Sequence, residues 1–277
     1  MSRRARPAQR TVLITGGASG LGAALAQRYA ARGDRVLVTD RTPTEHLPTG
    51  ARYQHLDVTS ESDWADALAR VRDEFGDLDV LINNAGIAAG GRVDLLDADH
   101  WRRVLEVNVL GAVNGCRTFA PTFKARGHGH IVNVASMAGL VHPAAMSSYN
   151  ASKAAVVALS ETLRHELAPY GIDTTVVCPS FFRSNLASSL GGDDPLMDAV
   201  AVNLISGAPL DASQIAARVI EGVDARRFLV MPDRAGRVNY WKKRLARPLY
   251  DRTMMAAGAG LRLAELKARP APTTRQP

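Results

Sequence analysis

The feature that most constrains this chain is a repeated alternation between short apolar runs and helix-length segments. Runs rich in Val and Ile occupy residues 11–15, 35–40, 78–83, 129–135, 173–179 and 228–232. Helical patterns lie between them, such as residues 21–32 and 60–75, and Gly33 and Gly76 follow these two patterns. Strands this apolar must be covered on both faces. The alternation predicts an α/β fold: one domain with a doubly wound parallel sheet and helices on both faces.

Charge divides the chain into a central domain and two basic ends. Although the net charge is +7, residues 1–10 hold four arginines and no acid, and residues 226–277 hold thirteen Lys or Arg against three acids. The segment between them is therefore acidic. We expect a basic N-terminal arm at 1–10, one ligand-binding and catalytic domain at 11–233, and a basic C-terminal extension at 234–277. This distribution argues against a nucleic-acid groove through the domain, so no nucleic acid is predicted as partner.

Cysteine usage and hydropathy bear on compartment and metal content. The two cysteines, Cys116 and Cys178, are too few for a disulfide framework, and no apolar run reaches the length of about 18 residues that a bilayer span needs. We therefore expect reduced thiols and a cytoplasmic location. His128 and His130 have no third ligand at a suitable spacing, so they are interpreted as a solvated turn and no metal is predicted.

A glycine-rich segment follows the first predicted strand and opens a helix. It is T-G-G-A-S-G-L-G over residues 15–22. In this context Gly16 allows a sharp turn, Gly20 lets the backbone approach a pyrophosphate, and Gly22 allows close helix packing. A nucleoside triphosphate loop would end in Gly-Lys-Ser or Gly-Lys-Thr, and this one has no lysine. The pattern predicts a Rossmann-type dinucleotide site.

Asp40 ends the second predicted strand, 18 residues beyond Gly22. A carboxylate there accepts hydrogen bonds from an adenosine ribose and repels a 2′-phosphate, which favours NAD over NADP. A solvated turn aspartate is the alternative, and the adjacent Arg41 leaves room for a phosphate.

Three polar residues later in the chain, Ser136, Tyr149 and Lys153, form a Ser-x12-Tyr-x3-Lys arrangement that can carry acid/base chemistry. Tyr149 and Lys153 are four residues apart and share a helix face. A free tyrosine has a pKa of about 10, so proton transfer near neutrality needs cations that stabilise the phenolate. A serine hydroxyl nearby can hold a carbonyl or alkoxide oxygen. By itself, a Tyr and Lys pair at this spacing is more often surface decoration.

Several motifs together resemble the short-chain dehydrogenase/reductase family over residues 11–232. The glycine-rich turn is similar to the family's T-G-x3-G-x-G, Asn83 to Gly86 to its N-N-A-G, and Tyr149 to Lys153 to its Y-x-A-S-K. The resemblance implies a catalytic tetrad of Asn108, Ser136, Tyr149 and Lys153. It implies cofactor contacts from Gly16, Ala18, Ser19, Gly20, Leu21, Gly22, Asp40, Arg41, Asp57, Val58, Asn84, Ala85, Gly86, Tyr149, Lys153, Pro179, Phe182 and Ser184.

The resemblance also implies roles for these residues. Tyr149 exchanges a proton with the substrate oxygen, Lys153 lowers the pKa of Tyr149 and binds the nicotinamide ribose, and Ser136 holds the reacting oxygen. Asn108 fixes a water that connects Lys153 to solvent. The family has Pro-Gly after the sixth strand, whereas this chain has Pro179 and Ser180. We expect the Cβ of Ser180 to resist a glycine-specific backbone angle.

Apolar residues flank the predicted site and favour an apolar substrate such as a lipid-like, alicyclic or steroid-like alcohol. They are Met137, Leu140, Val141, Met146, Phe181, Phe182, Leu186, Leu196 and Met197. The segment from residue 181 to 209 is interpreted as a mobile substrate loop.

The C-terminal extension has Val238, Trp241, Leu245 and Leu249 at helical spacing among basic residues until Pro248 interrupts. Such a segment binds an anionic membrane surface, or else its apolar face packs on this subunit or a partner.

The sequence thus predicts an NAD-preferring, homo-oligomeric oxidoreductase that interconverts an apolar secondary alcohol and its ketone. One alternative is a non-catalytic dinucleotide-binding sensor or scaffold, and another is nucleic-acid binding through the arginine-rich ends.

Overall fold

The structure is a computed structural model that describes residues 9–191 and 193–268. Most of the predicted basic arm, residues 1–8, and the last part of the predicted extension, residues 269–277, lie outside the described residues.

Seven parallel strands form one sheet in the order β3-β2-β1-β4-β5-β6-β7. The strands are β1 (Thr11–Thr15), β2 (Arg35–Asp40), β3 (Arg52–His55), β4 (Val80–Asn83), β5 (Gly129–Val134), β6 (Ile172–Val177) and β7 (Leu229–Val230). The strand order changes direction between β1 and β4, and ligands bind at the carboxyl ends of strands beside such a switch point. The predicted doubly wound sheet is confirmed.

The predicted strand bounds agree with the structure at β1 and β2. β4, β5 and β7 are shorter than predicted by one or two residues at an end, and β6 begins one residue and ends two residues earlier than predicted. The sequence pattern does not predict β3. Its residues, Arg52 to His55, are polar and only partly buried, because β3 pairs only with β2 and forms the edge of the sheet. An edge strand does not need the apolar composition by which the other strands were recognised.

Helices cover both faces of the sheet. The α-helices are α1 (Gly20–Ala31), α2 (Glu61–Arg70), α3 (Ala98–Leu105), α4 (Gly111–Arg126), α5 (Ala138–Val141), α6 (Ser147–Leu167), α7 (Pro195–Ser206), α8 (Ala212–Asp224), α9 (Arg234–Leu245) and α10 (Arg247–Ala268). Apolar residues of α1 and α8 pack on one face of the sheet, and those of α2 and α4 pack on the other. The Ser60 side chain caps α2 by accepting a hydrogen bond from Asp63 N.

A π turn at Glu106–Leu110 joins α3 and α4 into one long helix. Such a turn inserts an extra residue into a helix and occurs often at functional sites. Here it holds Asn108, which is 2% exposed, inside the domain.

The C-terminal extension packs against the domain as two helices. Pro248 does not simply interrupt the pattern: it lies in the first turn of α10, where a missing N–H costs no helix hydrogen bond. Tyr250 is 7% exposed and its hydroxyl donates to Val141 O, while Lys243 Nζ donates to Leu140 O at 2.6 Å. No helix within the described part of the chain is long and apolar enough to cross a membrane.

Candidate active site

A cavity of about 700 Å³ lies at the carboxyl edge of the sheet. At one end it is lined by the turn between β1 and α1 and by Asp40 at the end of β2; we call this the glycine-turn end. At the other end it is lined by apolar side chains between residues 181 and 205 and by Tyr250 and Met254 of α10; we call this the apolar end. Tyr149 and Lys153 of α6 line the cavity between them.

The glycine turn depends on missing side chains at two positions. Gly16 has a φ of 62°, in the left-handed region that favours glycine. A Cβ on Gly22 would lie 2.1 Å from Gly16 O and 2.7 Å from Asn84 Nδ2, so only glycine fits where α1 begins. This confirms the close packing expected of Gly22. Gly22 does not line the cavity, and its role as a cofactor contact stays a prediction.

Asp40 is held by the backbone on both sides. Its Oδ2 accepts from Ala18 N at 3.1 Å and its Oδ1 accepts from Thr42 N at 3.1 Å, while the residue lines the cavity together with Arg41. Ala18 does not line the cavity, and its N–H orients the Asp40 carboxylate; its role as a cofactor contact stays a prediction. The glycine-turn end therefore presents one fixed carboxylate with an arginine beside it.

The loop after β4 is tied to the glycine turn by Thr15, a residue that the sequence analysis did not assign to the site. Thr15 Oγ1 accepts from both Asn84 N and Ala85 N at 3.0 Å, and Asn84 Nδ2 donates to Thr15 O at 2.8 Å and Gly16 O at 3.1 Å. A polar residue at the end of β1, where neighbouring strand ends meet, is the signal that would have found it.

Gly86 separates the predicted catalytic residues Asn108 and Lys153. A Cβ on Gly86 would lie 3.0 Å from Asn108 Oδ1 and 3.3 Å from Lys153 Nζ. The side-chain amide of Asn108 hydrogen-bonds to other residues of the domain. Oδ1 accepts from Ile87 N at 2.8 Å, and Nδ2 donates to Ile87 O at 3.1 Å and to Ser152 Oγ at 3.3 Å. Asn108 does not line the cavity, so its contacts are those of a residue that fixes the cavity wall at Ile87.

Tyr149 is 8% exposed, and burial raises its pKa to about 12, partly offset by a hydrogen bond with Ser136. The phenol therefore holds its proton at neutral pH and is ready to donate it. Loss of that proton needs positive charge beside the phenol, because burial outweighs the effect of the Ser136 hydrogen bond on the pKa of Tyr149.

Lys153 lies in the next turn of α6, with its Nζ 5.7 Å from the centre of the Tyr149 ring. Burial lowers the pKa of Lys153 to about 8, with the nearby Cys178 thiol acting in the opposite direction. The ammonium is charged at pH 7 and donates to Val134 O at 3.1 Å. Lys153 thus brings a positive charge to the wall that carries Tyr149.

Ser136 follows β5 and faces the loop after β6. Its hydroxyl lies 3.4 Å from Pro179 O and accepts from Ala138 N at 3.1 Å. The expected strain at Ser180 is absent, which corrects the prediction: Ser180 is not among the described residues with positive φ, and its N–H donates to Asp233 Oδ2 at 2.9 Å. Ser180 is accommodated because this loop does not adopt a glycine-specific backbone angle.

The structure brings most of the predicted site residues to the one cavity. Those that line it are Gly16, Ser19, Gly20, Leu21, Asp40, Arg41, Asp57, Val58, Asn84, Ala85, Gly86, Ser136, Tyr149, Lys153, Pro179, Phe182 and Ser184. The cavity is also lined by residues that the sequence analysis did not assign, namely Thr42, Leu56, Ile87, Val107 and Val134. Ser184 lies against the glycine turn, with its Cβ 3.8 Å from an ideal Cβ on Gly20.

Apolar side chains dominate the apolar end, as predicted. Met137, Val141, Met146, Phe181, Phe182, Leu186 and Met197 line it, whereas Leu140 and Leu196 do not. The apolar end is also lined by residues that were not predicted from the sequence, namely Val200, Ala201, Leu204, Ile205, Gly236, Asn239, Tyr250 and Met254. The last four belong to the C-terminal extension, so the extension forms part of the cavity wall.

Arg92 joins the segments around the apolar end. Its guanidinium forms two hydrogen bonds with the Asp194 carboxylate: Nε donates to Oδ2 at 2.8 Å, and Nη2 donates to Oδ1 at 3.1 Å. Asp194 is fully buried and caps α7. The same guanidinium lies 3.1 Å from the Glu265 carboxylate on α10, and Arg92 holds the pKa of Asp194 below its usual range. The loop after β4, α7 and α10 thus meet at one arginine.

Neither the histidine pair nor the cysteines form a further centre. His130 is buried in β5, where its Nε2 lies 2.8 Å from Thr175 Oγ1, so the prediction of a solvated turn is wrong for this residue. Within the described residues no group of His, Cys, Asp or Glu has the arrangement of a metal site. Cys116 and Cys178 are buried free thiols, and burial raises the pKa of each to about 12.

Comparison with known proteins gives consistent matches. Residues 10–194 match the model of the short chain dehydrogenase family. The trans-4-hydroxycyclohexanecarboxylate dehydrogenase of Sinomonas cyclohexanicum is 36% identical over 67% of this chain and 77% of its own length. The 2-(R)-hydroxypropyl-CoM dehydrogenase of Xanthobacter autotrophicus is 33% identical over 78% of this chain and 92% of its own length.

Among solved structures, a short chain dehydrogenase/reductase from Burkholderia phymatum in complex with NAD superimposes with a TM-score of 0.80 at 28% identity. The match covers 87% of this chain and 95% of that chain. The resemblance stated from the sequence motifs is therefore confirmed.

Proposed function

Because this chain belongs to the short-chain dehydrogenase family, and is an oxidoreductase of CH–OH groups that uses a nicotinamide dinucleotide, we propose its finer specificity. It interconverts an apolar secondary alcohol and its ketone, prefers NAD to NADP, and uses Tyr149 as the acid/base. The observation that carries the proposal is the meeting of Ser136, Tyr149 and Lys153 between a glycine-turn end and an apolar end of one cavity.

The cavity walls fit a dinucleotide. A Cβ on Gly16 would lie 2.8 Å from Ala85 Cα, and a Cβ on Gly86 would crowd Lys153 Nζ, so the glycines keep open a cradle that side chains would fill. The N-terminus of α1 has no side-chain cap, and Ser19, Gly20 and Leu21 line this cradle, so the first N–H groups of the helix are available to a pyrophosphate. When bound, the nicotinamide group supplies or accepts the hydride.

The chain's own residues move the proton. In reduction, the Tyr149 phenol donates its proton to the carbonyl oxygen, and its raised pKa keeps it protonated for that step. In oxidation, Tyr149 takes the proton of the alcohol, and the Lys153 ammonium stabilises the phenolate. The Ser136 hydroxyl holds the reacting oxygen against Tyr149. Asn108 fixes Ile87 and so keeps the opposite wall in place.

The NAD preference rests on Asp40. Its carboxylate lines the cavity and is oriented by Ala18 N and Thr42 N. A ribose hydroxyl donates to such a group, whereas a 2′-phosphate meets its negative charge.

The substrate class rests on the apolar end. Met137, Met146 and Met197 offer adaptable apolar surface there, and Phe181 and Phe182 add aromatic surface. The hydroxycyclohexanecarboxylate dehydrogenase among the relatives supports an alicyclic secondary alcohol.

Self-association is also part of the proposal. Leu105 and Leu110 on the long middle helix are 37% and 51% exposed, which supports an interface there with a second copy. Light scattering on the purified protein tests it.

Turnover followed by nicotinamide absorbance tests the proposed function. The panel consists of acyclic and alicyclic secondary alcohols of increasing apolar size together with a hydroxylated sugar phosphate, each with NAD and with NADP. We expect turnover with NAD that rises along the apolar series. Turnover confined to the sugar phosphate, or no turnover of any alcohol by protein that binds NADH, would contradict the proposal.

A further inference from the structure

The two helices of the C-terminal extension have an inward and an outward face. On the inward face, Gly236 and Asn239 of α9 and Tyr250 and Met254 of α10 line the cavity. The hydrogen bonds from Lys243 Nζ to Leu140 O and from the Tyr250 hydroxyl to Val141 O fix both helices on the domain. The outward face is consequently held in one orientation relative to the cavity.

Large apolar side chains form a stripe on the outward face. Val238, Trp241 and Leu245 lie three and four residues apart on α9, and the exposed Leu249 follows at the start of α10, beyond the break in the helix at Ala246. Their exposed fractions are 43%, 50%, 78% and 63%. Met255, Leu263 and Leu266 add further exposed apolar side chains on α10. The predicted alternative that this face packs on the same subunit is wrong for these residues.

Basic side chains flank the stripe. At helical spacing, Arg237 and Arg244 lie along one side of it and Lys242 along the other, and all three are exposed. The twelve residues of α9 include five Lys or Arg and no Asp or Glu. An apolar stripe bordered on both sides by cations, with an aromatic residue within it, is the pattern of a helix that lies in the interface of an anionic membrane.

A second copy of the chain fits this face less well. Pairing of α9 with itself would bring its cations together, and charged residues, lysine above all, are depleted from the cores of protein interfaces. An anionic lipid headgroup layer complements the cations on both sides of the stripe. The boundary between the headgroups and the acyl chains accepts the apolar side chains of Trp241 and Leu245.

We propose that the outward face of α9, the stripe Val238, Trp241 and Leu245 with its flanking cations, together with the exposed apolar side chains of α10, docks the protein on an anionic membrane surface. The helices that touch the lipid are the helices that wall the apolar end, so docking brings the substrate cavity to a source of membrane-dissolved apolar alcohols or ketones. The docking surface goes beyond the proposed function and stands independently of which alcohol is oxidised.

Sedimentation of the full chain with vesicles tests the proposal. One vesicle preparation is pure phosphatidylcholine and the other contains phosphatidylglycerol as well. The variants are Trp241→Glu and its matched control Tyr170→Glu, since Tyr170 is 48% exposed and stands before β6, at the opposite edge of the sheet from the cavity. We expect wild type and Tyr170→Glu to pellet with the anionic vesicles, less so as salt rises. We expect at least about tenfold less bound Trp241→Glu.

A second variant, Arg244→Glu, keeps the test valid if Trp241→Glu does not fold, because it reverses an exposed charge and leaves the stripe intact. Equal pelleting of wild type, Trp241→Glu and Arg244→Glu, or no pelleting of any of them, would overturn the proposal. A fall in oligomer size in Trp241→Glu without lipid, with no vesicle binding by wild type, would assign the face to a second copy instead. Turnover of a water-soluble alcohol without vesicles is expected to be the same in all folded variants, which separates this test from that of the proposed function.

Discussion

The two ends of the cavity are built in different ways. At the glycine-turn end, strand ends and backbone groups determine the surface: Thr15 ties the loop after β4, and Ala18 N orients Asp40. At the apolar end, side chains from separate segments meet, and long-range ion pairs at Arg92 join them to Asp194 and Glu265. The first end is fixed by the sheet itself, whereas the second depends on contacts between parts of the chain that are distant in sequence.

This difference coincides with the extent of the family match. The match ends at residue 194, and α7, α8, α9 and α10 all follow it. The family motifs thus lie at the glycine-turn end and around Tyr149, while α7, α9 and α10, which contribute side chains to the apolar end, lie beyond the matched residues. We infer that the chemistry and the substrate choice are carried by different parts of the molecule.

The largest expected effect comes from the point where the two ends meet. Tyr149→Phe removes the hydroxyl that exchanges the substrate proton and keeps the ring, so we expect turnover to fall by about a thousandfold with little change in the affinity for NADH. Steady-state turnover and NADH fluorescence titration on one preparation measure both. A variant that keeps a tenth of wild-type turnover would remove Tyr149 from its assigned role.

A pH-dependent difference in stability is expected at Lys153. Burial lowers the pKa of Lys153 from 10.5 to about 8, so below pH 8 the folded protein carries the full cost of a buried charge. Between these values the folded state has lost a proton that the unfolded chain still binds, and wild type gains stability as pH rises. Relative to Lys153→Met, we expect this gain to approach about 3 kcal/mol.

Urea unfolding of both proteins at several pH values across this window checks the prediction. Lys242→Met, which changes an exposed lysine of α9, is the control and is expected to show no such trend. A stability difference between wild type and Lys153→Met that stays constant with pH would contradict the assigned pKa shift.

The contrast between the two ends also explains what could be predicted from sequence. β1, β2 and the glycine turn were predicted because apolar runs and glycines act locally. The polar edge strand β3 lacks such a signal. Arg92 and Asp194 are 102 residues apart, and nothing local to either residue indicates that they pair. Ser180 was expected to be strained because the family has glycine there, yet only the backbone geometry determines whether a Cβ is tolerated.

A smaller effect is expected at Asp40. Asp40→Ser removes the carboxylate that repels a 2′-phosphate, so the ratio of kcat/KM for NADP to that for NAD should rise about ten- to a hundredfold. Asp66→Ser removes an exposed carboxylate from α2 and should leave the ratio unchanged. An unchanged ratio in Asp40→Ser would transfer cofactor choice to Arg41 or another group.

The smallest effect is expected at the ion pair between Glu265 of α10 and Arg92, which we call the tether. Glu265→Gln weakens a partly exposed ion pair, and we expect KM for the alcohol to rise about threefold while kcat changes little. Arg102→Met breaks the exposed Arg102–Asp99 pair on α3 and is the control. Equal effects of the two variants on KM would mean that the tether does not order the apolar end.

The most direct test of the separation between the two ends is a joint measurement of NADH affinity and alcohol KM in wild type, Asp40→Ser and Met254→Trp. Met254 lines the apolar end, and a tryptophan there takes up space that the substrate needs. The account predicts a crossed pattern: Asp40→Ser alters dinucleotide binding and leaves alcohol KM unchanged, and Met254→Trp raises KM about tenfold with unchanged NADH affinity. If Met254→Trp weakened NADH binding as much as it raised KM, the two ends would not be separate and the account would be contradicted.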